Sequence, residues 1–299
     1  MSILVVGSVA FDTIETPYGR AEEVLGGSAA YFAVAASYFA PVKLVAVVGE
    51  DFPAPEREFL ASRDIDLSGL TVSKGRTFRW AGRYHEDMNL RDTLDLQLNV
   101  FADFSPQLPA GFRDAPFVFL ANINPGLQSG VLGQLARPRL IACDTISHWI
   151  AGARPELEAL LKKVDMLVIN DEEARLLSGE RNVVRAARKI LGSGPRTLLV
   201  KRGEYGVLLF SPDSIFAVPA YPLEEVFDPT GAGDSFAGGF LGYLAQSGDL
   251  SEAGLRKAIV YGSVVASFVV EDFSLRRLHT LTRDDIERRY RQFVSLTEF

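Results

Sequence analysis

The sequence predicts an α/β domain built on a mainly parallel sheet, with a small β insertion. Two observations carry this. Short apolar runs alternate with helix-like stretches along most of the chain, which implies βαβ units. Between residues 77 and 100 the pattern switches to alternating apolar and polar residues, as in half-buried strands. At 299 residues, with no Gly/Ser-rich linker, low-complexity tract or repeat, a single domain over residues 1–299 is expected.

The elements follow in order. Residues 3–6 are a short apolar run ended by Gly7, a buried strand. Residues 28–40 are Ala-rich and uncharged after Gly26-Gly27, a buried helix. A strand at 42–48 ends at Gly49, and a short helix covers 56–62. In the insertion, Phe78, Trp80 and Tyr84 alternate with Arg79 and Arg83, and Leu94, Leu96, Leu98 and Val100 alternate with Asp95, Gln97 and Asn99. An antiparallel sheet set apart from the main core is expected there. Strands at 117–121, 140–143, 166–169 and 197–200 then alternate with helices at 127–135, 155–163, 171–178 and 182–191. Residues 206–210 and 214–218 read as a hairpin, and helices close the chain at 233–247, 251–269 and 282–296.

Composition excludes several classes. Hydrophobic residues at 47% and charged residues at 23% argue against disorder. Thirty-one basic against 38 acidic residues give −7, so no global field attracts nucleic acid or an anionic membrane. A single Cys143 allows no internal disulfide, and the first Arg is Arg20, so no basic region precedes the first apolar run. A cytoplasmic protein acting on a small molecule, without nucleic-acid or membrane partners, is expected.

The most informative stretch is Asp228-Pro-Thr-Gly-Ala-Gly-Asp-Ser-Phe-Ala-Gly-Gly-Phe240. Gly231, Ala232 and Gly233 leave the backbone nearly bare where a helical pattern begins. Free N–H groups and the positive end of the helix dipole can face an anion there. Asp234 stands at the same place, able to accept a proton from a hydroxyl. An anion hole beside a base suits phosphoryl transfer to an alcohol. A plain glycine turn with Asp234 as a cap is the structural alternative.

This stretch closely resembles the C-terminal signature of the ribokinase-like (PfkB) family of ATP-dependent sugar and nucleoside kinases. The resemblance continues along almost the whole chain. Gly7-Ser-Val-Ala-Phe-Asp12 resembles the family's first strand end, Gly26-Gly27 with its Ala-rich helix the N-terminal signature, and Val48-Gly-Glu-Asp51 the next strand end. Asn170-Asp-Glu-Glu173 matches the Asn-x-x-Glu motif, and Lys201-Arg-Gly203 with Gly206 resembles the nucleotide-binding strand end. The resemblance implies a three-layer α/β/α sandwich whose insertion, residues 12–25 and 76–102, is a lid over the substrate. It implies Asp234 as catalytic base and Gly231, Ala232 and Gly233 as anion hole. Asp12, Gly26, Gly27 and Tyr31 are implied at the substrate, Asp12 and Gly27 hydrogen-bonding its hydroxyls. Asn170 and Glu173 are implied to order Mg²⁺, through water. Lys201, Gly203 and Gly206 are implied at ATP, and Asp228 beside a monovalent cation, K⁺, as in some members.

The chain departs from the family at several places. Tyr31 stands where an Asn four residues after the second Gly is usual, and Phe52-Pro53 replaces a usual Gly. In Asp144-Thr-Ile-Ser-His-Trp149, Ile146 and His148 replace the Asn and Arg of an Asp-x-Asn-x-Arg segment. Lys201-Arg202 is more basic than the commoner Thr-Leu and could touch nucleotide phosphates. Arg79 and Arg83 could reach a charged substrate across the lid, or be solvated. The Phe78, Trp80, Tyr84 stripe could stack on a base, though sheet packing or a dimer contact is the commoner role.

Other classes fit less well. No Gly-Lys dipeptide permits a P-loop, no G-x-G-x-x-G follows the first strand, and no His has an Asp three residues before it. The three histidines show no metal-ligand spacing. The expectation is an ATP- and Mg²⁺-dependent kinase of a sugar or sugar-like alcohol. A nucleoside kinase is the alternative, and a non-catalytic nucleotide-binding scaffold the second. A homodimer pairing through lid edges is the oligomer the sequence suggests.

Overall fold

The computed structural model describes residues 1–298. The strands are β1 (Ile3–Val6), β2 (Ala10–Thr16), β3 (Gly19–Gly26), β4 (Val42–Gly49), β5 (Ile65–Ser73), β6 (Phe78–Tyr84), β7 (Arg91–Gln97), β8 (Phe117–Leu120), β9 (Leu140–Asp144), β10 (Met166–Asn170), β11 (Thr197–Lys201), β12 (Val207–Phe210) and β13 (Ile215–Val218). Nine form one sheet in the order β13-β12-β11-β10-β9-β8-β1-β4-β5. It is parallel from β11 to β5, and β12 and β13 add antiparallel. The other four form a small sheet, β3-β2-β6-β7.

The main sheet is covered on both faces because its central strands are apolar on both. In β1, Ile3 and Val5 join the core beneath helices Ser28–Ser37, Ala232–Ser247 and Glu252–Val269. Leu4 and Val6 join the opposite core, with residues of helices Arg154–Leu161, Asp171–Ser178 and Val183–Leu191. Unbroken apolar runs are what a doubly covered parallel sheet requires. The result is a three-layer α/β/α sandwich. Among the described residues no helix is long and apolar enough to cross a membrane.

Three expectations change. The small sheet is mixed, because β2 and β6 pair in parallel. β2 follows β1 and β6 follows β5, so both leave the carboxyl edge of the main sheet in the same direction. Strand β5 escaped the sequence reading: Ser68-Gly69 interrupts its apolar pattern, and its pairing with β4 shifts register between Lys43 and Val45. Leu94, Leu96 and Leu98 do not form a buried stripe but are 47%, 54% and 43% exposed. A register shift after Ala81 leaves Leu94 without a pairing partner, and the lid packs on no second layer there.

Strand order places the site. Chain connections run one way from β1 through β4 to β5, then the other way from β8 to β11. Ligand crevices of such sheets open at the carboxyl ends of the strands, near this reversal. Asp144, Asn170 and Lys201 each end a strand at that edge. Helix Ala232–Ser247 is brought against helix Ser28–Ser37 by Gly238, where a Cβ would lie 2.4 Å from the Phe32 carbonyl oxygen. Gly238→Val is expected to cost about 1–3 kcal/mol by overpacking, read as a lower denaturation midpoint; an unchanged midpoint would show that this helix contact is slack.

Candidate active site

The site is assembled from the turn Asp228–Gly231 upward. Asp228 is fully buried, and its two carboxylate oxygens accept from the amides of Thr230 and Ser274, each at 2.8 Å. Ser274 in turn donates its hydroxyl to the Leu25 carbonyl at 2.6 Å. Gly231 caps helix Ala232–Ser247 with φ +73°, a left-handed conformation that glycine adopts without strain. A Cβ there would lie 2.3 Å from the Tyr31 ring. The turn is therefore pinned by Asp228 from within and by Tyr31 from below.

This geometry narrows the expected anion hole. The Ala232 amide already donates to the Pro229 carbonyl, at 3.2 Å. Gly231 and Gly233 keep amides with no partner among the described residues, so they are the donors left for an anion. Ala232 shapes the turn.

Asp234 lies in the first turn of the helix, half-buried. Removal from bulk water pushes its carboxyl up to about 6; Lys201 and Arg91 pull it down, and Glu173 adds to the rise. Asp144, at the end of β9, is 6% exposed and raised well above the usual range, by burial and then by Asp234. Its Oδ1 has no hydrogen-bond partner. Asn170 and Glu173 form a reciprocal capping box: the Glu173 amide donates to Asn170 Oδ1 at 2.7 Å, and the Asn170 amide to Glu173 Oε2 at 2.8 Å. The motif thus aims a buried carboxylate into the cleft while closing its own helix.

Asp234 and Glu173 raise the proton affinity of Asp144, and Glu173 raises that of Asp234, which a cation would relieve. No cluster of three ligands among the described residues is close enough to grip a metal directly. Hard carboxylate oxygens, one of them unpartnered and buried, fit Mg²⁺ held through water and phosphate.

The acceptor side is equally tight. Gly26 leaves room for Asp12: a Cβ there would lie 2.0 Å from Asp12 Oδ2. Gly27 has φ +95° and passes within a Cβ's reach of the Ser8 carbonyl. Burial, then Asp228 and Asp234, push the Asp12 carboxyl up to about 8. Tyr31 is 1% exposed; its ring supports Gly231, and its buried hydroxyl has no hydrogen-bond partner among the described residues. Gly206 has φ +84° and serves the backbone, since a Cβ would lie 2.0 Å from the Val218 carbonyl oxygen. Gly203 has φ +52°, and a Cβ would lie 2.5 Å from Asn89 Oδ1 at the lid tip. Asn89 also donates to Glu204 Oε2 at 2.8 Å, so the lid tip rests on the loop after β11.

Arg79 and Arg83 do not reach the cleft. They face the outer side of the lid, Arg79 paired with Glu23 and Asp51 at 2.7 and 2.9 Å, Arg83 with Glu15 at 2.7 Å. Arg91 is the lid cation on the cleft side. It is in register with Tyr84, whose hydroxyl accepts from Thr230 at 3.1 Å, and its charge reaches Asp12, Glu173 and Asp234. The sequence reading missed Arg91 and gave Asp144 no role. Strand parity after the bulge could have indicated the first, and a lone acid ending a strand beside Asn170-x-x-Glu173 the second.

The pfkB family carbohydrate kinase profile matches residues 134–280. Cytidine kinase of Thermococcus kodakarensis is 32% identical over 266 residues, 86% of this chain and 95% of that protein. The chain belongs to the pfkB family. Nucleoside kinase of Methanothermobacter thermautotrophicus is 29% identical over 293 residues, 90% and 89% of the two chains. The crystal structure of aminoimidazole riboside kinase from Salmonella enterica, complexed with aminoimidazole riboside and an ATP analogue, shares the fold with a TM-score of 0.78 at 20% identity, over 97% of this chain and 100% of that one. This pfkB protein is an ATP-binding kinase, a phosphotransferase with an alcohol acceptor.

Asp12 supplies a test. Its proton affinity is higher folded than unfolded, so its contribution to stability falls as pH rises from about 4 to about 8. Asp12→Asn removes that slope. The variant is expected to gain stability over the parent as pH climbs from 5 to 8, with no further gain above. With the Asp12 carboxyl protonated below about 8, the variant should lose acceptor affinity about 3- to 10-fold, the value of a neutral hydrogen bond. Melting temperatures and acceptor KM across that range check both; parallel pH profiles would contradict the burial argument.

Proposed function

We propose that this kinase transfers the γ-phosphoryl group of ATP to a hydroxyl of a nucleoside, cytidine being the first candidate. One observation carries the reading. Asp12, Trp80 and Leu96 are register partners across β2, β6 and β7, so they share the lid face that Tyr84 and Arg91 turn to the cleft. A carboxylate for sugar hydroxyls thus stands beside an indole and an exposed leucine, an apolar surface that suits a flat base. A free sugar would leave Leu96, 54% exposed, facing water beside the Trp80 ring, which Arg91 partly covers. The names of the two related proteins support the same choice over the sugar acceptor expected from sequence.

In this reading Asp234 takes the acceptor's hydroxyl proton while the Gly231 and Gly233 amides hold the charge on the phosphoryl oxygens. Asn170 and Glu173 would order water around Mg²⁺, the Gly203 loop lies at the nucleotide, and Lys201 lies beside Gly233 at the terminal phosphate. Mg²⁺ neutralises phosphate charge when bound. Arg91 follows the lid, residues 12–25 and 76–102, which excludes water when closed. Asp228 acts through the turn it ties; a K⁺ beside it is tested by exchanging K⁺ for Na⁺. A homodimer would pair the lid's edge strands, β3 and β7. The acids Asp144, Glu173 and Asp234 speak against a non-catalytic scaffold.

Coupled ADP release from Mg-ATP across nucleosides, pentoses, hexoses and polyols tests the function. Turnover with nucleosides above all sugars is expected; preference for a free sugar rejects the reading. Asp234→Asn should lower turnover about 10²–10⁴-fold with folding and ATP affinity retained. Because the base must be ionised, kcat/KM should fall about tenfold per pH unit below about 6. Trp80→Ala should raise nucleoside KM about tenfold, from the ~1–3 kcal/mol of base stacking. An equal KM in the variant would remove Trp80 from the base site.

A further inference from the structure

Lys201 ends β11 opposite Asn170, the last residue of β10. Its side chain crosses the cleft floor to the first turn of helix Ala232–Ser247. A Cβ on Gly233 would lie 2.6 Å from Lys201 Nζ and 3.5 Å from Cε. The ammonium therefore lies against the bare Cα of Gly233, next to Asp234. Its charge is felt by Asp144, Glu173 and Asp234. Among the described residues it nonetheless makes no ion pair within 4 Å and no hydrogen bond, unlike the basic groups of the neighbouring helix and lid.

The carboxylates attract this ammonium without pairing with it, and the helix end opposes it. The positive end of a helix repels a cation, and the Gly231 and Gly233 amides at that end have no partner among the described residues. The ammonium thus lies at the same turn as two amides that have no acceptor among the described residues. Across the cluster, the buried Oδ1 of Asp144 also lacks a partner. The arrangement is complete only with an anion between Lys201 and the helix amides, and a cation near Asp144 and Glu173.

We propose that Lys201 is a catalytic residue whose ammonium hydrogen-bonds the non-bridging oxygens of the phosphoryl group during transfer. The proposal rests on the placement of transfer at the Gly231–Asp234 turn. In the step, the acceptor oxygen forms a bond to the γ-phosphorus, and the bond from that phosphorus to the β–γ bridging oxygen breaks. The hydroxyl proton passes to Asp234, and the bond's electron pair leaves with ADP. Lys201 keeps its protons throughout. Charge in such a transition state spreads over the three equatorial oxygens, and Lys201 stands where the acceptor meets them rather than at the Gly203 loop. Its contribution therefore belongs to turnover more than to nucleotide affinity.

The test compares Lys201→Met, Lys201→Ala and Lys201→Arg with the parent. With the acceptor of highest turnover, Lys201→Met should lower kcat about 10²–10³-fold, the scale of one lost oxyanion donor. KM for ATP and for the acceptor should stay within about threefold. Methylammonium or ammonium should restore part of the Lys201→Ala turnover while Na⁺ does not, and Lys201→Arg should retain more turnover than Met. A second probe needs no acceptor: by calorimetry, Lys201→Met should weaken binding of Mg-ADP with aluminium fluoride but not of Mg-ADP alone. If the Met protein does not fold, amine rescue of the Ala protein decides. Turnover within threefold of the parent, a loss confined to ATP KM, or no amine rescue would overturn the proposal. Asp234→Asn run alongside separates the two ideas. An active Asp234→Asn rejects the placement of transfer, whereas an inactive one beside an active Lys201→Met rejects Lys201 alone.

Discussion

The site depends on one buried carboxylate. Asp228 accepts from the amides of Thr230 and Ser274, and Ser274 binds the Leu25 carbonyl at the base of the lid. Three segments far apart in sequence are thereby fixed to one another: the turn before the helix, the loop after helix Glu252–Val269, and the end of β3. A buried charge is costly unless its oxygens are satisfied, and here two backbone amides satisfy it. Because that loop and the lid base hang on the same group, the position of the helix amides is set relative to the acceptor side as well.

Around this frame the cleft concentrates like charges. Asp12, Asp144, Glu173 and Asp234 are all raised above their ordinary values, with burial the first cause in each case. Two cations temper the cluster from different directions, Lys201 from the sheet and Arg91 from the lid. Neither closes an ion pair among the described residues. Such a set is poorly satisfied alone and well satisfied by a magnesium-bound phosphate chain, the sort of functional strain that local rules of stability do not favour. Only Arg91 belongs to the small sheet, and it is one of the two cations that lower Asp234.

The glycines show how far a motif is legible. Gly231 has the left-handed conformation that its place before a helix suggests, but the group that excludes a side chain there is Tyr31. Gly233 gives space to Lys201, Gly26 to Asp12, and Gly206 to the Val218 carbonyl. In the sequence all four read as bare backbone near a ligand. In the structure each answers to a different neighbour, and those neighbours come from residue separations that no local pattern reports. Ala232 shows the converse, since a turn hydrogen bond withdraws an amide the motif seemed to offer.

The sequence by itself determined the kind of fold and the kind of chemistry. Alternating apolar runs and helices dictate a covered parallel sheet, and thirteen contiguous residues carry both Asp234 and the glycine amides, so local spacing is enough. Tertiary structure decided which cations face the base and what the lid presents. In the sequence Arg79 and Arg83 read as able to reach a charged substrate, and Arg91 carried no signal. Strand parity turned the first two outward to Glu23, Asp51 and Glu15, and a one-residue bulge left Leu94 unpaired. Pairing in a β-sheet has a period of two, so one extra residue reverses every side chain beyond it, and whether a bulge forms depends on partners that only the folded chain brings together.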